Sequence, residues 1–263
     1  MAGVVRVGIG GWTFDPWKGH FYPEKLKAKD ELSFAGSKLR AIEINGTYYS
    51  SQKPATFAKW ASETPEDFVF SLKASRFCTN RRVLAEAGES VTRFVSSGIV
   101  ELGPKLGPIL WQFMPTKQFE PEDFSAFLAL LPKAQDGVVL SHVVEVRHPS
   151  FVTPEFVDLL RTYKVACVVA DHAEYPMIAD VTGEFVYLRL QKGEDENPNC
   201  YPDAEMARWA SHIQSYAQGV APAELGLLAS SAPAGKPTDV FAFFITGGKV
   251  NAPFGAMALQ ARF

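Results

Sequence analysis

The sequence has little of what several large protein classes require. Only three of its 263 residues are cysteines (Cys78, Cys167 and Cys200), and they form no CxxC pair. This spacing predicts neither a disulfide framework nor a structural zinc site. Cys167 lies inside an apolar run and is expected to be a small buried hydrophobe. No apolar run approaches the roughly 20 residues that span a bilayer, and the amino terminus lacks a signal-peptide pattern. We therefore expect a cytoplasmic protein with no membrane partner.

The chain also lacks a strong charge of either sign. It carries 26 Lys and Arg residues against 29 Asp and Glu residues, a formal net charge of −3. This balance argues against a surface built as a whole for nucleic acid, and it permits a local basic pocket. The glycines from Gly8 to Gly11 do not match the GxGxxG pattern of dinucleotide-binding sheets. Redox cofactor motifs are absent.

Against these absences stands a regular alternation of short β-branched runs with amphipathic stretches. Runs that are apolar nearly throughout are typical of strands covered on both faces, as in a parallel sheet. The eight predicted strands are Val4–Ile9, Leu39–Asn45, Phe68–Lys73, Ile109–Phe113, His142–Arg147, Val165–Asp171, Phe185–Leu190 and Val240–Ile245.

Helical patterns occupy most of the intervals. The predicted helices are Pro54–Ser62, Ser90–Leu102, Glu122–Leu131, Pro154–Tyr163, Asp203–Gln218 and Asn251–Arg262. Strand–helix alternation repeated in this way predicts an α/β fold, a single (β/α)8 TIM-type barrel over residues 1–263. The interval His172–Gly183 is about as short as a parallel crossover allows, so the sixth helix is expected to be missing or very short. Lys192–Pro202 and Ala229–Pro237 are rich in turn formers and are predicted loops.

Polar residues gather at the predicted carboxyl ends of the strands, where barrels of this kind place their active sites. Glu43 and Asn45 are two residues apart and so face the same way, as do Glu145 and Arg147. The candidate catalytic residues are Glu43, Glu145 and Asp171. The candidate substrate-binding residues are Trp12, Asn45, Tyr48, Lys73, Arg76, Gln112, Arg147, His148, Arg189, Thr246 and Gly247.

A purely structural interpretation competes with this functional one. Glu43 could pair with Lys73, and Glu145 with Arg189, in a network that only stabilises the barrel. His148 precedes a proline and could simply cap a turn. For the set as a whole we favour function, because so many partly buried charges cost stability unless something uses them. Six side chains are predicted to converge on one cavity: Glu43, Lys73, Glu145, Arg147, Asp171 and Arg189.

Arg147 is the residue on which this prediction depends most. A guanidinium cannot lose its proton in a protein, so it must meet an anion. Glu145 is not expected to be its sole partner, because the two side chains stand side by side on one strand. The expected partners are therefore Glu43, Asp171 or a ligand.

The order of the strand-end motifs resembles that of a known family. The motifs are Gly11-Trp12, Trp17-Lys18-Gly19, Phe21-Tyr22-Pro23, Glu43–Tyr49, Phe70–Lys73, Lys105–Pro108, Glu145–Phe151, Ala170-Asp171 and Tyr187–Leu190. Together they resemble the YecE-like family, domain of unknown function 72, over essentially the whole chain. The resemblance implies a (β/α)8 barrel and no established reaction. Where the family has His-Gly, Asn-Asn and His, this chain has Gln191-Lys192, Thr246-Gly247 and Asn80, which predicts an altered substrate preference or reduced activity.

Three functions remain open. The first is an enzyme that acts on a small anionic metabolite, such as a phosphorylated sugar, by acid/base chemistry. Lys73, Arg147 and Arg189 would hold the anion, and the loop Thr246–Lys249 would bind phosphate before the last helix. No cofactor is required for this function. A Schiff-base reaction is less favoured, because Lys73, the one lysine suited to it, is also a candidate anion binder.

The second hypothesis is a metal-dependent phosphodiesterase or nucleic-acid enzyme similar to endonuclease IV. Glu43, Glu145 and Asp171 would then ligate a divalent ion such as magnesium. We rank it lower, because multi-zinc sites of that type need several histidines, and only His148 and His172 are near. The third hypothesis is a non-catalytic ligand-binding barrel. The sequence predicts neither the substrate nor the oligomeric state.

Overall fold

Eight parallel strands close into a barrel in a computed structural model, which describes residues 2–229 and 236–263. The strands are β1 (Val5–Gly10), β2 (Ala41–Ile44), β3 (Val69–Lys73), β4 (Leu106–Gln112), β5 (His142–Glu145), β6 (Ala166–Asp171), β7 (Phe185–Leu190) and β8 (Asp239–Phe244). Each strand pairs with the next along the chain, and β8 closes the ring on β1. The predicted α/β barrel is confirmed.

Helices cover the outside of the ring. They are α1 (Glu31–Lys38), α2 (Pro54–Ser62), α3 (Arg76–Thr79), α4 (Gly88–Val95), α5 (Pro121–Ala129), α6 (Pro154–Tyr163), α7 (Asp203–Ala217) and α8 (Ala252–Gln260). Residues 172–184, all of them described, contain no helix between β6 and β7, which confirms that prediction. Within the described ranges no helix is long and apolar enough to cross a membrane.

Local signals explain where helices begin and where one prediction fails. Helix α6 begins as expected, with Thr153 accepting a hydrogen bond from the backbone of Phe156 ahead of a proline in the first turn. The predicted single helix Ser90–Leu102 is wrong. The chain turns at Gly98, whose φ is 98°, and continues as a 3-10 helix over Ile99–Lys105. A left-handed residue of this kind ends a helix.

Other elements were not predicted. The short helices α1 and α3 fall in intervals without a strong apolar period, and a two-stranded hairpin joins Ala134–Gln135 to Val138–Val139. The predicted loop Lys192–Pro202 has no helix or strand of its own. The predicted loop Ala229–Pro237 lies mostly outside the described residues.

Alternation along the strands separates two apolar cores. One core fills the barrel: Ala41, Val69, Leu110, Val143, Ala166, Val168, Ala170, Phe185, Tyr187, Phe241, Phe243 and Ile245. The other, larger core packs between the strands and the helices. Side chains two residues further along a strand keep the same direction. The polar residues that continue the inner series at the carboxyl ends therefore point into the barrel mouth.

Candidate active site

A buried arginine on β7 joins two carboxylates across the barrel. Arg189 is 1% exposed. Its Nη2 and Nε lie 2.9 Å and 3.1 Å from the two oxygens of Glu43, and its Nη1 lies 2.6 Å from Glu145 Oε2. The fork-like contact with Glu43 uses the geometry that suits a guanidinium best. The pair between Glu145 and Arg189 is confirmed, whereas Glu43 pairs with Arg189 and not with Lys73.

Glu43 is further held by neutral donors. Tyr187 donates to Glu43 Oε2 at 2.8 Å, and Asn45 Nδ2 donates to Glu43 Oε1 at 3.0 Å. Tyr187 lies 2.7 Å from the hydroxyl of Ser71. Burial, followed by the charge of Glu43, raises the pKa of Tyr187, so the phenol keeps its proton. Both oxygens of Glu43 are thus occupied by protein donors.

Glu145 is held as an anion. Burial raises the pKa of this carboxyl, but the charges of Arg189 and then Arg147 outweigh that effect, and the pKa is lowered. A carboxylate held by two guanidiniums has little tendency to accept a proton at neutral pH. This environment suits a positioning role better than that of a general base.

Arg147 is only partly satisfied. Its Nη2 lies 2.7 Å from Gln112 Oε1 and 3.3 Å from each oxygen of Glu145. The expectation that its protein partner would be Glu43 or Asp171 is wrong, because the guanidinium bends back beside its own strand toward Glu145. Its face lies 4.5 Å from the ring centroid of Tyr175. Its Nε is buried and has no hydrogen-bond partner among the residues that the structure describes.

Lys73 ends β3 inside the same space and is 8% exposed. Its ammonium lies 4.4 Å from the ring centroid of Tyr48. Within the described parts of the chain it makes no hydrogen bond or ion pair. Burial lowers the pKa of Lys73 to about 8 and the charge of Arg189 acts in the same direction, while Glu43 and Glu145 oppose it.

These groups face a cavity of about 430 Å³ at the carboxyl ends of the strands. Its lining is Gly10, Asn45, Tyr48, Tyr49, Lys73, Gln112, Arg147, His172, Tyr175, Arg189, Gln191, Ile245, Thr246 and Lys249. Seven predicted substrate-binding residues are therefore together, and two predicted catalytic residues, Glu43 and Glu145, lie directly beneath them in contact with Arg189. Of the six side chains predicted to converge, Lys73, Arg147 and Arg189 line the cavity, and Glu43 and Glu145 reach it only through their contacts with Arg189.

The exception is Asp171. Ala170 fills the inner core, so the next side chain along β6 points outward between strands and helices. Asp171 accepts a hydrogen bond from Tyr201 at 2.8 Å and lies 3.1 Å from the ammonium of Lys192. Its predicted place in the cavity is wrong. The side chain that β6 does direct inward is His172.

Three other predicted residues do not line the cavity. Trp12 packs edge-to-face on Trp60, with ring centroids 5.1 Å apart. Arg76 is exposed and its guanidinium lies over the neighbouring phenylalanine ring. His148 caps a turn, its Nδ1 accepting from the backbone N–H of Ser150 at 3.2 Å. The alternative that His148 is a cap is thus confirmed.

The predicted phosphate loop is also closed by the protein itself. Gly247 pairs with Gly193, and a Cβ on it would lie 2.5 Å from that residue's carbonyl oxygen. Ahead of α8, the carboxylate of Asp195 accepts from the backbone N–H of Val250 at 2.9 Å. An acidic side chain already binds this N–H, so the loop does not offer the predicted anion site. Thr246 alone of the two predicted residues reaches the cavity.

Sequence reasoning missed part of the cavity wall. His172 stacks on Tyr175 with ring centroids 3.9 Å apart, and the guanidinium of Arg147 lies 4.5 Å from the centroid of the same tyrosine ring. Gln191 is 8% exposed, and its buried Oε1 has no partner within residues 2–229 and 236–263. The alternation Ala170 to His172 and Arg189 to Gln191 places both residues at strand ends, although neither was among the candidate substrate-binding residues. Nothing in the sequence placed Tyr175.

The donor set does not fit the divalent ion of the phosphodiesterase hypothesis. Glu43 and Glu145 both bind the cation Arg189, and Asp171 faces away from them. No group of three or more potential ligands occurs in the part of the chain that the structure describes. We therefore derive no step through a metal here.

A larger groove lies at the opposite end of the barrel, with a volume of about 890 Å³. Two of its arginines have surface partners. Arg6 pairs with Asp239 at 3.3 Å, and Arg40 pairs with Asp67 at 2.6 Å.

The fold and the charged mouth define a (β/α)8 barrel with one deep polar cavity at the carboxyl ends of its strands. Residues 6–263 match the family described as "Protein of unknown function DUF72". The chain belongs to this family, which is the YecE-like family of the sequence resemblance.

Known relatives agree with this assignment. The UPF0759 protein YunF of Bacillus subtilis is 25% identical over 158 residues, a match that spans 58% of this chain and 54% of that protein. A DUF72 family protein of Thermotoga maritima superposes with a TM-score of 0.74 at 22% identity over 98% of each chain. A fusion protein containing a xylose isomerase-like TIM barrel matches in fold, with a TM-score of 0.51 at 13% identity over 96% of this chain and 41% of that one.

Proposed function

We propose that the cavity binds a small anionic metabolite of the phosphorylated, sugar-like kind and transforms it by acid/base chemistry. The observation that carries this proposal is that two cations, Lys73 and Arg147, line the cavity with hydrogen-bonding capacity that no residue of the described chain uses. Buried polar groups are normally paired, and buried charges more so.

The charge balance of the cavity points the same way. Glu43 and Glu145 supply two negative charges, whereas Arg189, Arg147, Lys73 and Lys249 supply four positive ones. The group is left with an excess of two positive charges when both lysines are protonated. Because both carboxylates are bound to Arg189, this excess is concentrated on the rim side, where an anionic substrate would neutralise it.

The size of the cavity suits a small ligand. A volume of about 430 Å³ falls in the lower part of the range usual for small-molecule sites. Tyr48 and Tyr175 supply flat walls, and Gln112 and Gln191 supply amide groups. A sugar-like molecule needs such a mixture, with donors and acceptors for hydroxyls beside apolar faces for carbon atoms.

The proposed roles of the carboxylates and of Lys73 differ from those expected from the sequence. The carboxylates of Glu43 and Glu145 hold Arg189 and Arg147 in place, and Lys73 carries the proton transfer. An acid/base group works best with a pKa near the working pH, and that of Lys73 is lowered to about 8 by burial. Arg147 fixes the anionic group of the substrate and so sets the distance from the reacting carbon to this amine.

Ligand-dependent thermal unfolding tests the proposal. Wild-type protein is heated with inorganic phosphate, glycerol 3-phosphate or glycerol, and the same series is run on Arg147→Met. The melting temperature of the wild type should rise by about 5 °C with a phosphorylated ligand well above its Kd, should not change with glycerol, and should lose its response in the variant.

The matched control is Arg93→Met, which removes an exposed arginine that pairs with Glu89 on α4. It should respond to the ligands as the wild type does. An equal response in Arg147→Met, or no response of the wild type to either phosphate compound, would contradict the proposal.

A further inference from the structure

We propose that the amine of Lys73 attacks the carbonyl carbon of an anionic aldehyde or ketone and forms a Schiff base with it. This inference rests on the proposed function, because it takes the anionic group of the substrate to be held by Arg147. It adds the substrate class, a carbonyl compound, and a covalent step.

Lys73 is the lysine at a strand end inside the barrel mouth. It follows Val69 and Ser71 in the inward series of β3, and its ammonium reaches the cavity beside the Tyr48 ring. A group at this place touches any molecule that fills the cavity floor. The strand fixes its Cα and the tyrosine face restricts its side chain, so the amine is positioned before the substrate arrives.

The surrounding charges leave this amine unpaired. The carboxylates that face it are Glu43 on β2 and Glu145 on β5, and both are bound to Arg189 on β7 at 2.6 to 3.1 Å. Neither forms an ion pair with Lys73. Once the amine loses its proton, no acceptor or donor of the described chain competes for its lone pair.

The protonation state permits nucleophilic attack at neutral pH. Burial lowers the pKa of Lys73 to about 8, so on the order of a tenth of the molecules carry a neutral amine at pH 7. An ordinary lysine would be neutral about 300 times less often under the same conditions. Desolvation beside other cations is a recognised way to activate a lysine toward carbonyl compounds.

The step needs proton transfers but no oxidant or reductant. The amine nitrogen forms a bond to the carbonyl carbon, the π pair moves to the oxygen, and one proton passes from the nitrogen to that oxygen, which returns a lone pair to the nitrogen. A second proton converts the hydroxyl into water, which leaves as the nitrogen lone pair forms the C=N bond. Overall, the carbonyl compound, the neutral amine and one proton yield the protonated Schiff base and one water molecule.

His172 is positioned to donate a hydrogen bond to the carbonyl oxygen as negative charge develops on it. Its Nδ1 accepts hydrogen bonds from the backbone N–H groups of Glu174 and Tyr175 at 3.0 Å and 3.2 Å. The neutral ring must then carry its hydrogen on Nε2. The ring lines the cavity and stacks on Tyr175, which also holds Arg147. The hydrogen-bond donor and the anion binder therefore share one support.

Reductive trapping tests the covalent step. Wild-type protein is incubated with dihydroxyacetone phosphate or glyceraldehyde 3-phosphate and treated with borohydride, and the intact and peptide masses are measured. A trapped Schiff base adds the mass of the carbonyl compound less one oxygen atom. We expect this addition on Lys73, at least tenfold above any other lysine, and we expect excess glycerol 3-phosphate to suppress it.

Two variants complete the test. Lys73→Arg keeps the positive charge and should lose the label, whereas Lys192→Arg changes a lysine paired with Asp171 outside the cavity and should keep it. If glycerol 3-phosphate binds in an Arg147-dependent manner but neither carbonyl compound labels Lys73, the Schiff base is refuted and the proposed function stands. If no phosphorylated compound binds, the proposed function fails as well.

Discussion

Arg189 and Arg147 lie in the same barrel mouth and contact the same carboxylate, Glu145, yet their surroundings differ. Arg189 is buried beneath the cavity and each of its three nitrogens meets a carboxylate oxygen within 3.1 Å. Arg147 lies on the rim, contacts Glu145 at 3.3 Å and leaves its Nε without a partner in the described chain.

This difference separates stability from binding within one site. A buried charge that is fully paired contributes mainly by satisfying its partners, and its removal leaves them stranded. A charge with unused donors has room for a ligand. The lower layer, Glu43, Glu145 and Arg189, is therefore the part that orders the barrel mouth. The upper layer, Lys73 and Arg147, is the part that we propose to meet a ligand.

The largest expected effect is the loss of the lower arginine. Arg189→Met leaves Glu43 buried beside neutral donors and leaves Glu145 with Arg147 alone, and we expect a loss of about 3–5 kcal/mol in unfolding free energy. Urea unfolding measures it, with Arg93→Met as the exposed control. A loss below about 1 kcal/mol would remove the distinction between the two layers.

Removal of the upper lysine should stabilise the protein. The pKa of Lys73 is about 8 in the folded chain against an ordinary 10.5, so the unfolded chain binds more protons between these values. Burial of the charged amine therefore lowers the unfolding free energy by its full amount below about pH 8, and this loss disappears as the pH rises to 10.5. Lys73→Met should gain up to about 3 kcal/mol at pH 7.

The pH dependence distinguishes this cause from better packing. The difference in unfolding free energy between Lys73→Met and the wild type should shrink steadily from pH 8 toward pH 10.5. A constant difference over that range would show that charge is not its origin. A variant less stable than the wild type at pH 7 would show that Lys73 is a structural residue.

The smallest expected effect is that of the upper arginine on stability. Arg147→Met removes the contacts with Gln112 and Tyr175, but Glu145 keeps its 2.6 Å contact with Arg189. We expect a loss of about 1–2 kcal/mol, the size of one hydrogen bond with a charged group and one cation–π contact. Urea unfolding measures this loss as well. A loss equal to that of Arg189→Met would show that the two arginines contribute equally to stability and would contradict the division into two layers.

The residues of the lower layer, and the position of the upper-layer residues at strand ends, could be predicted from the sequence. Period-two alternation and the known position of active sites in barrels were sufficient for Glu43, Lys73, Glu145, Arg147 and Arg189. The predictions failed where a shift of one residue along a strand, or a contact between loops, decides which side chain faces the cavity. Asp171 and His172 are adjacent, and only the observed burial of Ala170 shows which of them faces inward.

Loop residues were beyond sequence reasoning for a different reason. Trp12 contacts Trp60, and Asp195 reaches the backbone of Val250, across 48 and 55 positions of the chain. Such contacts depend on how loops distant in sequence pack together, and the periodicity of a short segment carries no information about that packing. The stacking of Tyr175 between His172 and Arg147 is of the same kind.

The central claim is that the upper layer meets an anion, and the titration of Lys73 tests it most directly. Lysine side chains labelled with 13C at Cε are followed by NMR from pH 6 to pH 11. This range begins about two pH units below the expected pKa of about 8 and ends above the ordinary value of 10.5. The variant Lys73→Arg assigns the signal. The account predicts a pKa of about 8 in the free protein and a higher pKa with saturating glycerol 3-phosphate, since a bound anion favours the charged amine. A pKa near 10.5 in the free protein, or one unchanged by the ligand, would contradict it.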